Sequence, residues 1–166
     1  MPGGAIDVVR FRKHLDVGEV EAALAEWTGA PLAGLDAPGL AATVDGLLEE
    51  RLAALETALG RQVDADPAAV IGALTELTVD HPFREGFWAL LMTALYRLGR
   101  QADALAAFQR VRYHLVDELG VEPGRRLRDL EARILDQSPS LGDPQGSQPV
   151  RGDGTRQETF RRGASG

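Results

Sequence analysis

HPFREGFWALLMTALYRLGRQADALAAFQRVRYHLVDELGVEP, residues 81–123, is the stretch on which the reading of this chain turns. Phe83, Phe87, Leu90, Leu91, Ala94, Leu95 and Leu98 recur at i, i+4, i+7, i+8, i+11, i+12 and i+15, which places them along one side of a helix. Ala104, Leu105, Phe108, Val111 and Leu115 form a second such stripe. The two helices are expected to meet at Gly99.

Similar signals extend in both directions. Upstream, Asp7 is an expected N-cap for a helix carrying Val8, Phe11 and Leu15, and a second helix is expected to carry Val17, Val20, Leu24 and Trp27 to an end near Gly29. Thr28 to Gly39 holds two prolines and three glycines and reads as an ordered surface loop. Helix is expected from Leu40 to Leu59, with Val44, Leu47, Leu48, Leu52, Leu55 and Leu59 as its stripe and Gly60 as its C-cap. Asp66 then caps a helix with Pro67 at its first position and Val70, Ile71, Leu74 and Leu77 on its apolar face. His81, before Pro82, reads as a helix-start residue. Leu59-Gly60-Arg61-Gln62 recurs as Leu98-Gly99-Arg100-Gln101, which predicts the same turn twice. Downstream, Leu127, Leu130 and Ile134 mark a last helix that would close an otherwise open apolar end.

Trp88, Leu91, Ala104 and Phe108 fit the tetratricopeptide pattern W-x2-L-G-x2-Y…A-x3-F, with Met92 and Leu95 in place of its glycine and tyrosine. The expected fold is all-α: a tetratricopeptide-like, right-handed stack of antiparallel helix pairs with a C-terminal capping helix. It is expected to span residues 7–141. Residues 142–166, rich in Gly, Pro, Ser and charge, hold too little apolar surface to offset their ordering entropy and read as a disordered tail or linker.

Composition bounds the function. The chain has 166 residues, 44% of them hydrophobic, enough for its own core. It contains no cysteine, so disulfides and thiolate metal sites are excluded. His14, His81 and His114 lie far apart, with no ligand spacing, and no phosphate loop or nucleophile motif occurs. No catalytic residue, metal or cofactor is expected. No apolar run is long enough to span a bilayer and no signal peptide opens the chain, so a cytoplasmic location without membrane association is the expectation. The formal net charge is -7, and the tail is slightly basic, so no basic domain offsets the rest. Autonomous nucleic-acid binding is therefore disfavoured. Only Lys13 among the 18 basic residues is a lysine, as expected of a GC-rich genome.

Three blocks carry a family resemblance: GAPLAGLDAPGLAATVDGLLEERLAALE at 29–56, HPFREGFWALLMTALYRLGRQADALAAFQRVR at 81–112, and LVDELGVEPGRRLRDLEARILDQSPSL at 115–141. Together they resemble the bacterial transcriptional activator domain of the Streptomyces antibiotic regulatory proteins and their larger relatives. Asp117-Glu118-Leu119-Gly120 followed by Glu122-Pro123-Gly124 is the most specific element, because generic tetratricopeptide repeats do not require it. The resemblance implies a helical module that follows a winged-helix DNA-binding domain and supports activation and assembly. No winged-helix segment is legible in this sequence, so the expectation is a protein-contact module without its own DNA reader.

Expected partners are RNA polymerase or a winged-helix regulator, with self-association as a further contact. On the tetratricopeptide analogy Thr93, Tyr96 and Arg97 should face the concave surface where partners bind. Arg110, Arg112, Arg125, Arg126 and Arg128 form a basic stretch for a second contact, balanced by nearby Asp117, Glu118, Asp129 and Glu131. A general tetratricopeptide adaptor with no role in transcription is the alternative.

Overall fold

A computed structural model describes residues 7–27, 40–137 and 141. The expected loop at 28–39 and the expected tail lie outside the described residues. Seven α-helices, and no strand, occur among those described: α1 Val8–Asp16, α2 Val20–Ala25, α3 Leu40–Ala65, α4 Pro67–Asp80, α5 Glu85–Arg97, α6 Gln101–Tyr113 and α7 Arg125–Leu135. The fold is all-α and tetratricopeptide-like, a stack of helix pairs closed by a capping helix.

Local chemistry sets several helix ends. The Asp7 carboxylate accepts from the Arg10 amide at 3.1 Å and starts α1. Asp66 accepts from the amides of Ala68 and Ala69 at 3.1 and 3.3 Å and starts α4, with Pro67 where its missing N–H costs nothing. Replacing Asp66 by alanine should cost about 1 kcal/mol, read as a fall of a few degrees in the thermal midpoint.

The α5–α6 turn is a Schellman motif. Gly99 has φ +73°, its amide bonds the Tyr96 carbonyl, and the Arg100 amide bonds the Leu95 carbonyl. The same geometry recurs at Gly18, with φ +79° and the pair Gly18 to Leu15 and Glu19 to His14. Gly60 does not share it. It lies inside α3, which continues to Ala65, so Gly60 is no C-cap and the LGRQ recurrence is not a repeated turn. A glycine inside a helix costs only about 1 kcal/mol against alanine. Buried Leu59 and Val63 on either side of it outweigh that, and only Asp66 ends the run. The turn equivalent to Gly99 is Gly18, where VGEVEAALA matches LGRQADALA.

Further boundaries differ from expectation. Val17 is the C-cap of α1 and exposed, and α2 stops at Ala25, well before Gly29. His81 closes α4 by donating its amide to the Leu77 carbonyl; Arg84, not His81, precedes α5. Phe83 precedes α5 and Leu98 caps it, and both are exposed because the chain turns there.

α5 is also more deeply set than a one-sided stripe implies. Phe87 through Met92 are all buried, so the helix is covered on nearly every side, as expected of a helix at the centre of a stack. α4 and α6 pack along one side of it, α3 and α7 along the other. Trp88 is 2% exposed and donates from Nε1 to the Pro82 carbonyl at 2.9 Å, fixing the entry to α5. The main core joins α3 to α7. The α1–α2 pair has its own small core of Phe11 and Ala23 with Trp27 edge-on to Phe11, and it meets α3 through Val20, Ala54 and Ala58.

The DELGVEPG segment has a specific physical role. α6 passes into a π-helical turn, His114–Glu118, and ends where Gly120 takes φ +69°. Pro123 is buried, and the Gly124 amide donates to Glu85 Oε2 at 2.9 Å. A β-carbon on Gly124 would sit 2.8 Å from that oxygen. The motif therefore seats the start of α7 on the start of α5.

Candidate functional site

A groove of about 510 Å³ runs between α5 and α7. Ala89 and Thr93 come from α5, and Leu130 and Leu141 line it with them; Arg125, Arg126, Asp129 and Arg133 of α7 supply its charge. A neighbouring groove of about 410 Å³ shares Arg126 and adds Glu56, Thr57 and Gly60 of α3 with Leu90 of α5. Successive residues of an α-helix turn by about 100°, so Ala89, Leu90 and Thr93 lie on one side of α5 and Leu91 and Leu95 on the other. That other side carries a smaller groove of about 260 Å³ between α4 and α6. The first pair of grooves thus follows the side formed by α3, α5 and α7, the concave side of a tetratricopeptide stack.

The three concave-face candidates differ in environment. Thr93 lines the groove, half-buried, with Oγ1 donating to the Ala89 carbonyl at 2.8 Å. Tyr96 packs half-buried against the core. Arg97 has a side chain only 12% exposed, and its guanidinium is committed internally. Nη1 donates to the Val63 carbonyl at 2.9 Å and to Asp64 Oδ1 at 2.6 Å, and Nε donates to the Leu141 carbonyl at 3.0 Å. Arg97 therefore ties the end of α3 to the chain beyond α7.

The basic stretch does not form one surface. Arg125 and Arg126 reach the α5–α7 groove, whereas Arg110 lies over the Trp88 ring at 5.4 Å and lines the opposite groove. Arg112 pairs with Glu122 at 3.4 Å. Arg128 is exposed and lines neither groove. Arg126 approaches Glu56 Oε1 at 3.5 Å and Arg125 approaches Asp129 at 3.4 Å, both weak exposed pairs. Arg133 was not singled out from the sequence, Asp129 entered only as a balancing charge, and Leu141 only as the last residue of the expected domain. The signal for the first two was the i, i+4, i+8 spacing of Arg125, Asp129 and Arg133.

Other charged groups serve the frame. Arg84 holds α3 to the start of α5 through Glu49 at 2.8 Å and Glu56 at 3.5 Å. Burial raises the Glu131 carboxyl above its ordinary value, partly offset by Arg112. A raised carboxyl costs stability when ionised and costs nothing once protonated. Glu131→Gln should therefore raise the thermal midpoint slightly at neutral pH, with the difference vanishing as pH falls through the carboxylate range. No group of carboxylates, histidines or cysteines able to hold a metal occurs among the described residues. Nor is any helix among them long and apolar enough to cross a membrane.

Fold and grooves together define a tetratricopeptide-like helical module with a charged groove between α5 and α7. The bacterial transcriptional activator domain matches residues 7–135, and the chain belongs to that family. Regulatory protein AfsR of Streptomyces coelicolor is 45% identical over 122 residues, 73% of this chain and 12% of AfsR. Transcriptional regulatory protein EmbR of Mycobacterium tuberculosis is 42% identical over 127 residues, 72% of this chain and 31% of EmbR. Regulatory protein DnrI of Streptomyces peucetius is 37% identical over 140 residues, 83% of this chain and 49% of DnrI. A solved structure of EmbR in complex with a low affinity phosphopeptide is similar at TM-score 0.70 and 36% identity, over 80% of this chain and 36% of that one. The chain thus spans less than half the length of each of these relatives.

Proposed function

We propose that this chain is a non-enzymatic transcription-regulatory module that works in the cytoplasm through protein contacts made on its concave side. Residues 7–141 would be the working domain and 142–166 a tail or linker. The observation that carries this reading is the α5–α7 groove. It is open, lined by charged side chains on an apolar floor, and built in a family of transcription regulators. The net charge of -7 favours contact with protein over direct reading of DNA. RNA polymerase and winged-helix regulators are the partners this reading favours, with a second copy of the chain as a further one. That EmbR was solved with a phosphopeptide supports peptide contact as a mode within such regulators, without placing it on the part shared with this chain.

Binding assays with purified RNA polymerase holoenzyme and with purified winged-helix regulators test the proposal. Retention of either by the tagged chain is expected. If neither is retained, and an unrelated peptide binds the concave side instead, the general adaptor is the better reading.

A further inference from the structure

We propose that the α5–α7 groove takes an acidic peptide segment carrying apolar side chains, held by the guanidinium groups of Arg125 and Arg126 over a floor of Leu130 and Leu141. This rests on the protein-contact reading above and specifies the chemistry of the partner.

The argument begins with charge. The chain as a whole is strongly acidic, yet among the described residues this groove is lined by three arginines and one aspartate. Arg125 and Arg126 have side chains 89% and 69% exposed, and their nearest carboxylates stand at 3.4 and 3.5 Å. Such pairs are worth little in water and are readily exchanged for a carboxylate that approaches bidentately. Because Arg126 lines both concave grooves, a segment bound at one is led toward the other.

The floor decides between polyanions. Leu130 and Leu141 are each 7% exposed and belong to the main core, so the groove offers fixed apolar surface beneath its charges. A nucleic-acid backbone gains nothing from that apolar surface, and Asp129 opposes phosphate and carboxylate alike, so the floor alone separates the two. A peptide that alternates acidic and apolar side chains uses both the charges and the floor. The chain's own residues 143–166 hold four arginines and three acidic residues, so their charge does not complement the groove.

The probe is a fluorescein-labelled peptide of about ten residues alternating glutamate with leucine, long enough to lie along one groove. It is titrated by anisotropy into the full chain, with a lysine–leucine peptide and a labelled oligothymidylate as comparisons. The acidic peptide should bind most tightly, with affinity falling as salt rises. Arg125→Glu with Arg126→Glu should weaken it about tenfold or more through repulsion, while Arg125→Lys with Arg126→Lys keeps most of the affinity. Helicity and thermal midpoint should stay near those of the parent, since both side chains are exposed.

Equal binding of the acidic and basic peptides, or an affinity indifferent to charge reversal, would overturn the proposal. So would tighter binding of the oligothymidylate, or a dimer seen by sedimentation that the reversal dissolves. If the reversed variant still retains RNA polymerase or a winged-helix regulator, the groove assignment fails while the protein-contact function stands. If the acidic peptide binds as expected but neither regulator is retained, the groove stands and the transcription role fails.

Discussion

Trp88→Ala is expected to destabilise the fold by about 3–5 kcal/mol, the range for large aromatic truncations in a packed core. Trp88 is buried in the helix at the centre of the stack, and nearly all its surface is removed from water. Its ring lies 6.1 Å from His114 and beneath the Arg110 guanidinium, so truncation also opens the junction of α5 with the π-helical turn. The Pro82 carbonyl loses its indole donor at the same time. Trp88→Phe should cost less, because it keeps most of the packing and loses mainly that hydrogen bond, worth about 1 kcal/mol. Urea unfolding of both variants checks the order. Equal losses would mean that the hydrogen bond, and not packing, dominates at this position.

Arg97→Met should cost about 2–4 kcal/mol. Three oxygens from two distant parts of the chain accept from its guanidinium, and two are backbone carbonyls that are left without this donor. Methionine retains the stem of the side chain, so the loss reports on the polar head. The expected result is a marked fall in the urea midpoint, together with faster proteolysis after α7 as Leu141 loses its tie. An Arg97→Met variant of parental stability that fails to bind a partner would instead make Arg97 a direct contact residue. The geometry favours the first outcome, since the guanidinium is already occupied.

The contrast between Asp66 and Arg97 shows which features could be read from sequence. A cap is a local device: Asp66 and its two amide partners lie within a few residues, so the residue types alone announce it. Helix faces are nearly as local, and the stripes through Phe87 and Leu91, and through Ala104 and Phe108, are buried as their spacing implies. The partners of Arg97 lie 33 to 44 residues away, and no periodicity points to them. On a helical wheel it shares the side of Thr93, yet the packing of α3 against α5 turns its head to internal acceptors. Gly60 illustrates the opposite error: a residue with the right local chemistry for a helix end is overruled by the buried leucine and valine on either side of it.

The candidate groove was half legible. Arg125 and Arg126 stood out as charge, and Thr93 by analogy with the repeat. Pairing them required knowing that α7 lies against α5, a relation fixed by the Glu85 carboxylate on the Gly124 amide across 39 residues. The same bond explains the family-specific character of DELGVEPG. Its glycines and proline orient the capping helix, and that orientation sets one wall of the groove.

The most direct test of a concave-side contact is amide chemical-shift mapping of the isotope-labelled chain on addition of whichever regulator it retains. The expected shifts cluster at Thr93 on α5 and at Arg125 and Arg126 on α7. Shifts confined to Thr75, Asp103 and Ala106, which line the groove on the opposite side, would contradict the account.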